Sequence, residues 1–337
     1  MKTTDFSKYL TDYLTRYMPH ERGCSHNTIV AYRDTFVLFI AFMERVRNIK
    51  AEKLYLKSIT KECVVAFLNW LQTERKCGDT TRNLRLAALH SFFRYLQYQN
   101  PDNLFEYQNI MSIKSKRTKG IAMNYLTIEG ITLLLEQPDV KSEKGRRDLA
   151  LLSLMYDTGS RVQEIIDLTP SAIKLDNPST VQITGKGNKS RIVPLLEDQV
   201  KVLKCYLDEH RLLEAQARMH PLFYNSHQEK LTRPGVTHIL MKYTEKARKK
   251  NSQLIPDKLS CHSLRHSKAM HLLQAGVNLV YIRDILGHVS IQTTEVYARA
   301  DSRQKREAIE KAYIDVIPNK APMWENNNNL LGWLKSF

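Results

Sequence analysis

Residues 261–297 read CHSLRHSKAMHLLQAGVNLVYIRDILGHVSIQTTEVY. His262, Arg265 and His266 stand three and four apart, so a helix carries them on one face. Ala269, Met270, Leu272 and Leu273 continue at helical spacing, and Gly276 suits the left-handed position that closes a helix. Asn278 can cap a second short helix, which stops at Gly287. His288 falls just past that stop, and Tyr297 lies nine residues on, in or after a third short helical segment. Two histidines, an arginine and a tyrosine therefore project from successive helix ends. Singly, each is an ordinary polar residue on a solvated face. The i, i+4 histidine pair is also half of a metal site, but no Glu or third ligand stands at zincin spacing, so no metal is expected.

Together the pattern is far more specific. H-x-L-R-H, then L-G-H, then a tyrosine nine residues later resembles the tyrosine recombinase family, the phage integrase and Xer-like proteins. The resemblance demands an upstream arginine and a lysine on a hairpin. Residues 158–168, TGSRVQEIIDL, follow T-G-x-R-x-x-E-I-x-x-L, which resembles the motif holding the family's first catalytic arginine; that position is Arg161. Glu164, three residues on and on the same helical face, is expected to fix a neighbour through a charge-assisted hydrogen bond.

A β-hairpin follows, with Val181–Thr184 and Arg191–Val193 flanking the turn Gly185–Lys186–Gly187–Asn188. G-K-G-N-K-x-R-x-V-P-L resembles the family hairpin whose lysine reaches the scissile phosphate, by position Lys186. Lys189 and Arg191 are expected as DNA-backbone contacts or solvated charges. A P-loop is excluded, because the four-residue spacer, the following Ser/Thr and the helix are all missing.

The chain has 337 residues and a formal net charge of +16, enough for two domains and pointing to a polyanionic partner. Five cysteines without C-x-x-C pairs fit a reduced compartment without structural zinc. No apolar run reaches membrane-spanning length and no signal-peptide core opens the sequence. The expected location is cytoplasmic and nucleoid-associated, with no membrane partner.

Residues 1–111 read as all helical. Phe6, Tyr9, Leu10, Tyr13, Leu14 and Tyr17 form one stripe, and a break is expected at Pro19–Gly23. Further helices carry Phe36, Phe39 and Met43, then Val64, Phe67 and Leu71 after a Thr60 cap, then Leu89, Phe92 and Leu96 after Gly78–Asp79. The aromatics keep a burial period and read as core. Thr80, Arg82 and Arg85 cluster at a helix start, as do Ser25, His26 and Arg33, and both starts are candidate phosphate contacts. Residues 112–120, SIKSKRTKG, read as a basic interdomain linker whose Lys114, Lys116 and Arg117 would lie on a duplex backbone.

In residues 121–315, Thr127 caps a helix and another runs over roughly Arg146–Tyr156. Beyond the hairpin come a helix near Glu197–Leu213, a short strand at Leu222–Tyr224 and a helix from Thr232 or Arg233 to about Lys249. Asp301 or Ser302 can cap a helix to about Ile314. In the tail, 316–337, Leu330, Leu331, Leu334 and Phe337 fall on one face of a short helix beside Trp333.

The expected fold is mainly α with a small β-hairpin or sheet: an N-terminal helical, SAM-like core-binding domain followed by a tyrosine-recombinase catalytic domain. The resemblance fills all six catalytic positions without substitution: Arg161, Lys186, His262, Arg265, His288 and Tyr297. It implies a site-specific recombinase in which Tyr297 attacks phosphorus in double-stranded DNA, forming a 3′-phosphotyrosyl link and freeing a 5′-hydroxyl, with Lys186 as proton donor. Arginine forks suit the charge built on the non-bridging oxygens, and the ester retains the bond energy, so neither cofactor nor ATP is expected. The asparagine-rich tail favours a mobile-element integrase or transposase over a Xer-like resolvase. A single domain ahead of the catalytic one differs from integrases with an extra arm-binding domain. A non-cutting DNA-binding protein and a type IB topoisomerase remain as alternatives on related chemistry. The tail is expected to dock on a neighbouring copy in a tetramer on paired sites.

Overall fold

The computed structural model describes residues 3–118, 123–185 and 187–300, together with Gly332, Leu334 and Lys335; the side chains of residues 299 and 300 are excepted. The chain divides into two compact units, Met1–Ile121 and Ala122–Phe337.

The first unit is helical throughout. Its helices are α1 (Asp5–Asp12), α2 (His26–Arg47), α3 (Lys61–Thr73), α4 (Asp79–Gln99) and α5 (Leu104–Met111), with a π-helical stretch, Tyr13–Glu21, continuing α1. The break expected at Pro19 is displaced. The wider π turn carries the chain past Pro19, the Arg22 N–H reaching the Tyr17 carbonyl five residues back at 3.0 Å. Thr4 and Thr60 cap α1 and α3, accepting from the backbone N–H of Ser7 and Cys63. The aromatic stripes form the core: Phe92 packs edge-on against Tyr13 and Phe36 at centroid distances of 5.2 and 5.1 Å. The buried Tyr13 hydroxyl donates to Ser91 Oγ at 2.8 Å, which keeps that polar atom satisfied inside the core.

The basic stretch after α5 is pinned to its own unit as far as Lys116. Asn83 Nδ2 donates to the Lys116 carbonyl at 2.8 Å while the Lys116 N–H donates back to Asn83 Oδ1 at 3.0 Å. Lys116 Nζ donates to Gln72 Oε1 at 2.6 Å. A side-chain amide thus mimics a strand edge, and residues around Lys116 are held against α4 instead of forming a free tether.

The second unit contains α6 (Ile128–Leu135), α7 (Glu143–Thr158), α8 (Val162–Ile166), β1 (Ile173–Lys174), β2 (Thr180–Thr184), β3 (Ser190–Pro194), α9 (Glu197–Glu209), α10 (Arg233–Lys250), α11 (Cys261–Gln274), α12 (Leu279–Leu286) and α13 (Gln292–Ala300). Thr127, Ser142 and Thr232 cap α6, α7 and α10 through their hydroxyls. The Ser142 cap starts α7 three residues ahead of the expected Arg146. The sheet is antiparallel in the order β1-β2-β3, with Val181 opposite Val193 and Ile183 opposite Arg191. Val181, Ile183 and Val193 are buried in the same core as α7 residues such as Leu151 and Leu154.

Two further expectations are corrected, and β1 is not among the expected elements. β1 is too short to leave a period in the sequence. Helix α9 ends at Glu209, four residues short of Leu213, where Arg211 adopts a φ of 51°. The strand at Leu222–Tyr224 reduces to one bridge between Tyr224 and Lys230. The helix expected over 301–314 and the tail residues Leu330, Leu331, Trp333 and Phe337 lie outside the described residues; Leu334 is exposed.

Candidate active site

Three helix ends in the second unit meet. Helix α11 begins at Ser260, whose hydroxyl is paired with Ser263, and it carries His262, Arg265 and His266. Asn278 caps α12 by accepting from the Val280 N–H, and Gly287 closes it with φ +65°. A Cβ on Gly287 would stand 2.9 Å from the Arg191 guanidinium, so glycine is required both by the backbone and by the packing. His288 follows at once, and α13 brings Tyr297 back over α11. Ala269, Met270, Leu273, Ile282, Leu286 and Tyr297 share one small buried cluster that holds these three helices together.

Arg265 is 1% exposed. Its Nη1 donates to the Gly159 carbonyl and its Nη2 to the Leu286 carbonyl, both at 2.7 Å. One guanidinium therefore joins the end of α7 to the end of α12. Its Nε is buried with no hydrogen-bond partner among the described residues. Burial, and secondly the neighbouring Arg161 charge, push its pKa down to about 10, so it remains protonated at neutral pH.

Arg161 sits at the N-cap of α8, just after Gly159, whose φ of +56° ends α7. Its Nη1 donates to Glu164 Oε1 at 2.7 Å, and its backbone N–H donates to Glu164 Oε2 at 3.0 Å. Its side chain is 40% exposed, against 5% for that of Glu164. Arg191 reaches the same carboxylate from β3, its Nη2 donating to Glu164 Oε2 at 2.7 Å, and its Nε donates to the Ile285 carbonyl at 2.7 Å. Burial pushes the Glu164 carboxyl up, but the hydrogen bonds and charge of Arg191 and Arg161 outweigh it and hold the group below the ordinary carboxylate range.

Tyr297 is 3% exposed, and its hydroxyl pairs with His266 Nδ1 at 3.0 Å. Burial raises its pKa, while Arg265 and Arg161 pull it part of the way back. The His288 ring lies parallel to the Tyr297 ring at a centroid distance of 6.3 Å, and its Nδ1 pairs with the buried Thr294 hydroxyl at 2.9 Å. His262 is exposed and meets His266 edge-on at 4.5 Å. Burial, together with the arginine charges, lowers the pKa of His262 and takes that of His288 down to about 4. The imidazoles are therefore neutral at pH 7, whereas Arg161, Arg191 and Arg265 face a single carboxylate. Two uncompensated positive charges remain, matching the charge of a phosphodiester that has gained one more negative charge at its transition state.

Five of the six expected catalytic residues thus stand on the elements forming one site, Arg161, His262, Arg265, His288 and Tyr297; Lys186 lies outside the described residues. Its sequence neighbours Gly185 and Gly187 lie between β2 and β3. Arg191 is not a solvated charge: its side chain is 11% exposed, and its Nη2 and Nε donate to Glu164 and to the Ile285 carbonyl. Lys189 is exposed. In the first unit Thr80, Lys114 and Arg117 are exposed, whereas Arg82 is 6% exposed and donates to Asn83 Oδ1 at 3.1 Å. Arg85 Nη1 donates to the Ala31 carbonyl and the Thr35 hydroxyl, both at 3.0 Å, bracing α4 to α2. His266 carried no chemical assignment in the sequence; its place on the Arg265 face was the available signal.

Residues 124–304 match the model of the phage integrase family, and residues 11–100 match the phage integrase N-terminal SAM-like domain. The putative integrase/recombinase y4rC of Sinorhizobium fredii is 32% identical over 335 residues, 99% of both chains. The tyrosine recombinase XerD of Listeria innocua is 30% identical over 290 residues, 86% of this chain and 93% of the relative. Among solved structures, the XerH site-specific recombinase bound to difH in a pre-cleavage complex gives a TM-score of 0.65 at 25% identity, covering 89% of this chain and 84% of that one. The Tn1549 transposon integrase with right-end DNA shares the fold, with a TM-score of 0.67 at 16% identity over 90% of this chain and 98% of that one.

Proposed function

The chain belongs to the phage integrase family, the tyrosine recombinases, and from that premise we propose that it is a site-specific DNA recombinase working through a covalent 3′-phosphotyrosyl intermediate. The observation that carries this reading is the Tyr297 hydroxyl, held within the field of the Arg161 and Arg265 guanidinium groups. The tyrosine attacks phosphorus, the arginines neutralise the charge developing on the non-bridging oxygens, and Lys186 protonates the departing 5′-oxygen. The positive charge that other phosphoryl-transfer sites draw from metal ions comes here from side chains, and the ester linkage retains the energy for rejoining. No ATP or metal enters the reaction.

The partner is double-stranded DNA bearing paired sites. The net charge of +16 supports this, as does the DNA held by the XerH neighbour. Two duplexes require four active tyrosines, which points to a tetramer on DNA, with the tail, 316–337, docking on a neighbouring copy. Mobile-element integration is the preferred role: the relative y4rC, named as an integrase/recombinase, matches over 99% of both chains. Xer-like chromosome resolution is the second reading, favoured by the 30% identity to XerD over 86% of the chain.

The deciding experiment traps covalent protein–DNA adducts in cells, in parallel for the wild-type chain and Tyr297→Phe, and sequences the attached DNA. Adducts clustered at one sequence and absent from the variant support the reading. Adducts that persist in Tyr297→Phe, or a purified reaction that excess EDTA stops and magnesium restores, overturn the nucleophile or the metal-free mechanism respectively. Sites at the ends of one mobile segment favour integration, and a single chromosomal locus favours resolution.

A further inference from the structure

We propose that His266 is the base that receives the Tyr297 proton as the tyrosine attacks the phosphodiester. The inference rests on the recombinase reading and supplies a step that reading leaves unassigned. Among the described residues, the hydrogen-bond partner of the Tyr297 hydroxyl is His266 Nδ1, at 3.0 Å, within the range required for direct proton transfer. The contact spans two helices, α11 and α13, that are packed through Ala269, Met270 and Tyr297 itself, so it is set by the core of the domain.

The neighbouring histidines are disposed for other tasks. His288 Nδ1 is paired with Thr294 Oγ1 at 2.9 Å, and its ring lies parallel to the tyrosine ring at a centroid distance of 6.3 Å. His262 is exposed and packs edge-on against His266. The charged and titratable groups around His266 are His262 and Arg265 on its own helix and Tyr297 on α13, with His288 beyond the tyrosine ring. From α7, Asp157 is engaged with Lys268 at 3.0 Å. Burial first, then His262 and Arg265, bring the His266 pKa down to about 4, so the imidazole is neutral; in the tautomer with its proton on Nε2, the Nδ1 lone pair accepts from the Tyr297 hydroxyl.

The step balances. A bond forms between Tyr297 Oη and phosphorus, the bond from phosphorus to the 5′-oxygen breaks, and the tyrosine proton passes to His266 Nδ1 to give imidazolium. The 5′-oxygen takes its proton from a separate acid, and on rejoining the imidazolium returns its proton to the tyrosine oxygen. In free protein His266 is too weak a base to ionise a buried tyrosine. A phosphodiester bound between Arg161 and Arg265 offsets the Arg265 charge that helps to weaken it, and the tyrosine oxygen becomes acidic as it bonds to phosphorus. The nucleophile therefore stays protonated until DNA is in place.

The test uses the full chain and a nicked duplex built on the sequence recovered with the wild-type adduct. Single-turnover adduct formation is followed from pH 5 to 9 on denaturing gels, and duplex affinity by gel shift. His266→Ala is expected to slow adduct formation by about 10²–10⁴-fold with duplex affinity kept, and its rate should climb roughly tenfold per pH unit as tyrosinate forms unaided. His266→Asn, which keeps an acceptor near the Nδ1 position but cannot hold the proton, should be as slow; it also serves if the alanine variant fails to fold. Adduct formation by His266→Ala at the wild-type rate overturns the assignment. Recovery of the wild-type rate in His266→Asn also overturns it, reducing the residue to a positioning contact. A wild-type chain that forms no adduct removes the recombinase reading and this proposal with it, whereas a wild-type adduct beside an unimpaired His266→Ala removes this proposal alone.

Discussion

Arg191 Nη2 donates to Glu164 Oε2 at 2.7 Å across 27 residues of sequence, and the same carboxylate receives Arg161. Through Glu164, the hairpin strand β3 and Arg161 are oriented by one buried anion. The side chains of Glu164 and Arg191 are 5% and 11% exposed. Glu164→Ala is expected to lower unfolding stability by about 3–5 kcal/mol, because it leaves the Arg191 charge buried without a counterion. Urea denaturation of the two proteins measures the loss. Replacement at no cost in stability would mean that Arg191 finds water instead. Glu164→Gln should lose less, since it keeps acceptor capacity.

Acid should destabilise the second unit before its carboxylates titrate. His266 and His288 have folded pKa values of about 4 against an ordinary 6.5. Below pH 6.5 the unfolded chain takes up protons at these positions while the native state does not, so native stability falls as pH drops towards 4. The depressed Glu164 carboxyl adds loss in the same direction below the ordinary carboxylate range. The urea midpoint at pH 5 is therefore expected below that at pH 7, and His266→Asn combined with His288→Asn should flatten the difference. Equal midpoints in the wild-type chain would contradict the burial of these rings.

The docked strand after α5 gives an independent prediction. Asn83 makes two hydrogen bonds with the backbone of Lys116, at 2.8 and 3.0 Å. Asn83→Ala should release that backbone, speeding hydrogen exchange at the Lys116 amide while the core amides of α4 keep their protection, at a cost of about 1 kcal/mol. Unchanged exchange would show that Lys116 Nζ and Gln72 suffice to hold the segment.

Lys186 is proposed as the acid that protonates the leaving 5′-oxygen. Lys186→Ala should be slow on the native duplex and close to wild type on a duplex with a 5′-bridging phosphorothiolate, whose thiolate leaves without protonation. Equal impairment on the two substrates would assign Lys186 to DNA binding.

The residue types and their chemistry were legible in the sequence because they depend on local rules. Helical spacing puts His262, Arg265 and His266 on one face, Asn278 and Gly287 bound α12, and the burial period of Phe36 and Phe92 marks them as core. These are short-range constraints of backbone geometry and capping, so 14 residues of α11 suffice to express them. Charge carries no such local address. Arg82, Arg85 and Arg191 read as surface cations, yet each donates to a group of its own unit: Arg82 to Asn83, Arg85 to Ala31 and Thr35, Arg191 to Glu164 and Ile285.

The sequence by itself determined that His262, Arg265 and His266 share one helix and that Asn278 and Gly287 bound the next. Only the tertiary structure decided their partners. His266 and Tyr297 are 31 residues apart, and Arg265 and Gly159 are 106 apart. Those pairs exist because Leu286, Ile282 and Met270 bury one another and draw the ends of α7, α11, α12 and α13 to the same place. Hydrophobic burial is non-directional and acts across any separation in the chain, so it selects which helix ends meet. The hydrogen bonds, strong only at short range and good angles, then select among the side chains it has brought together.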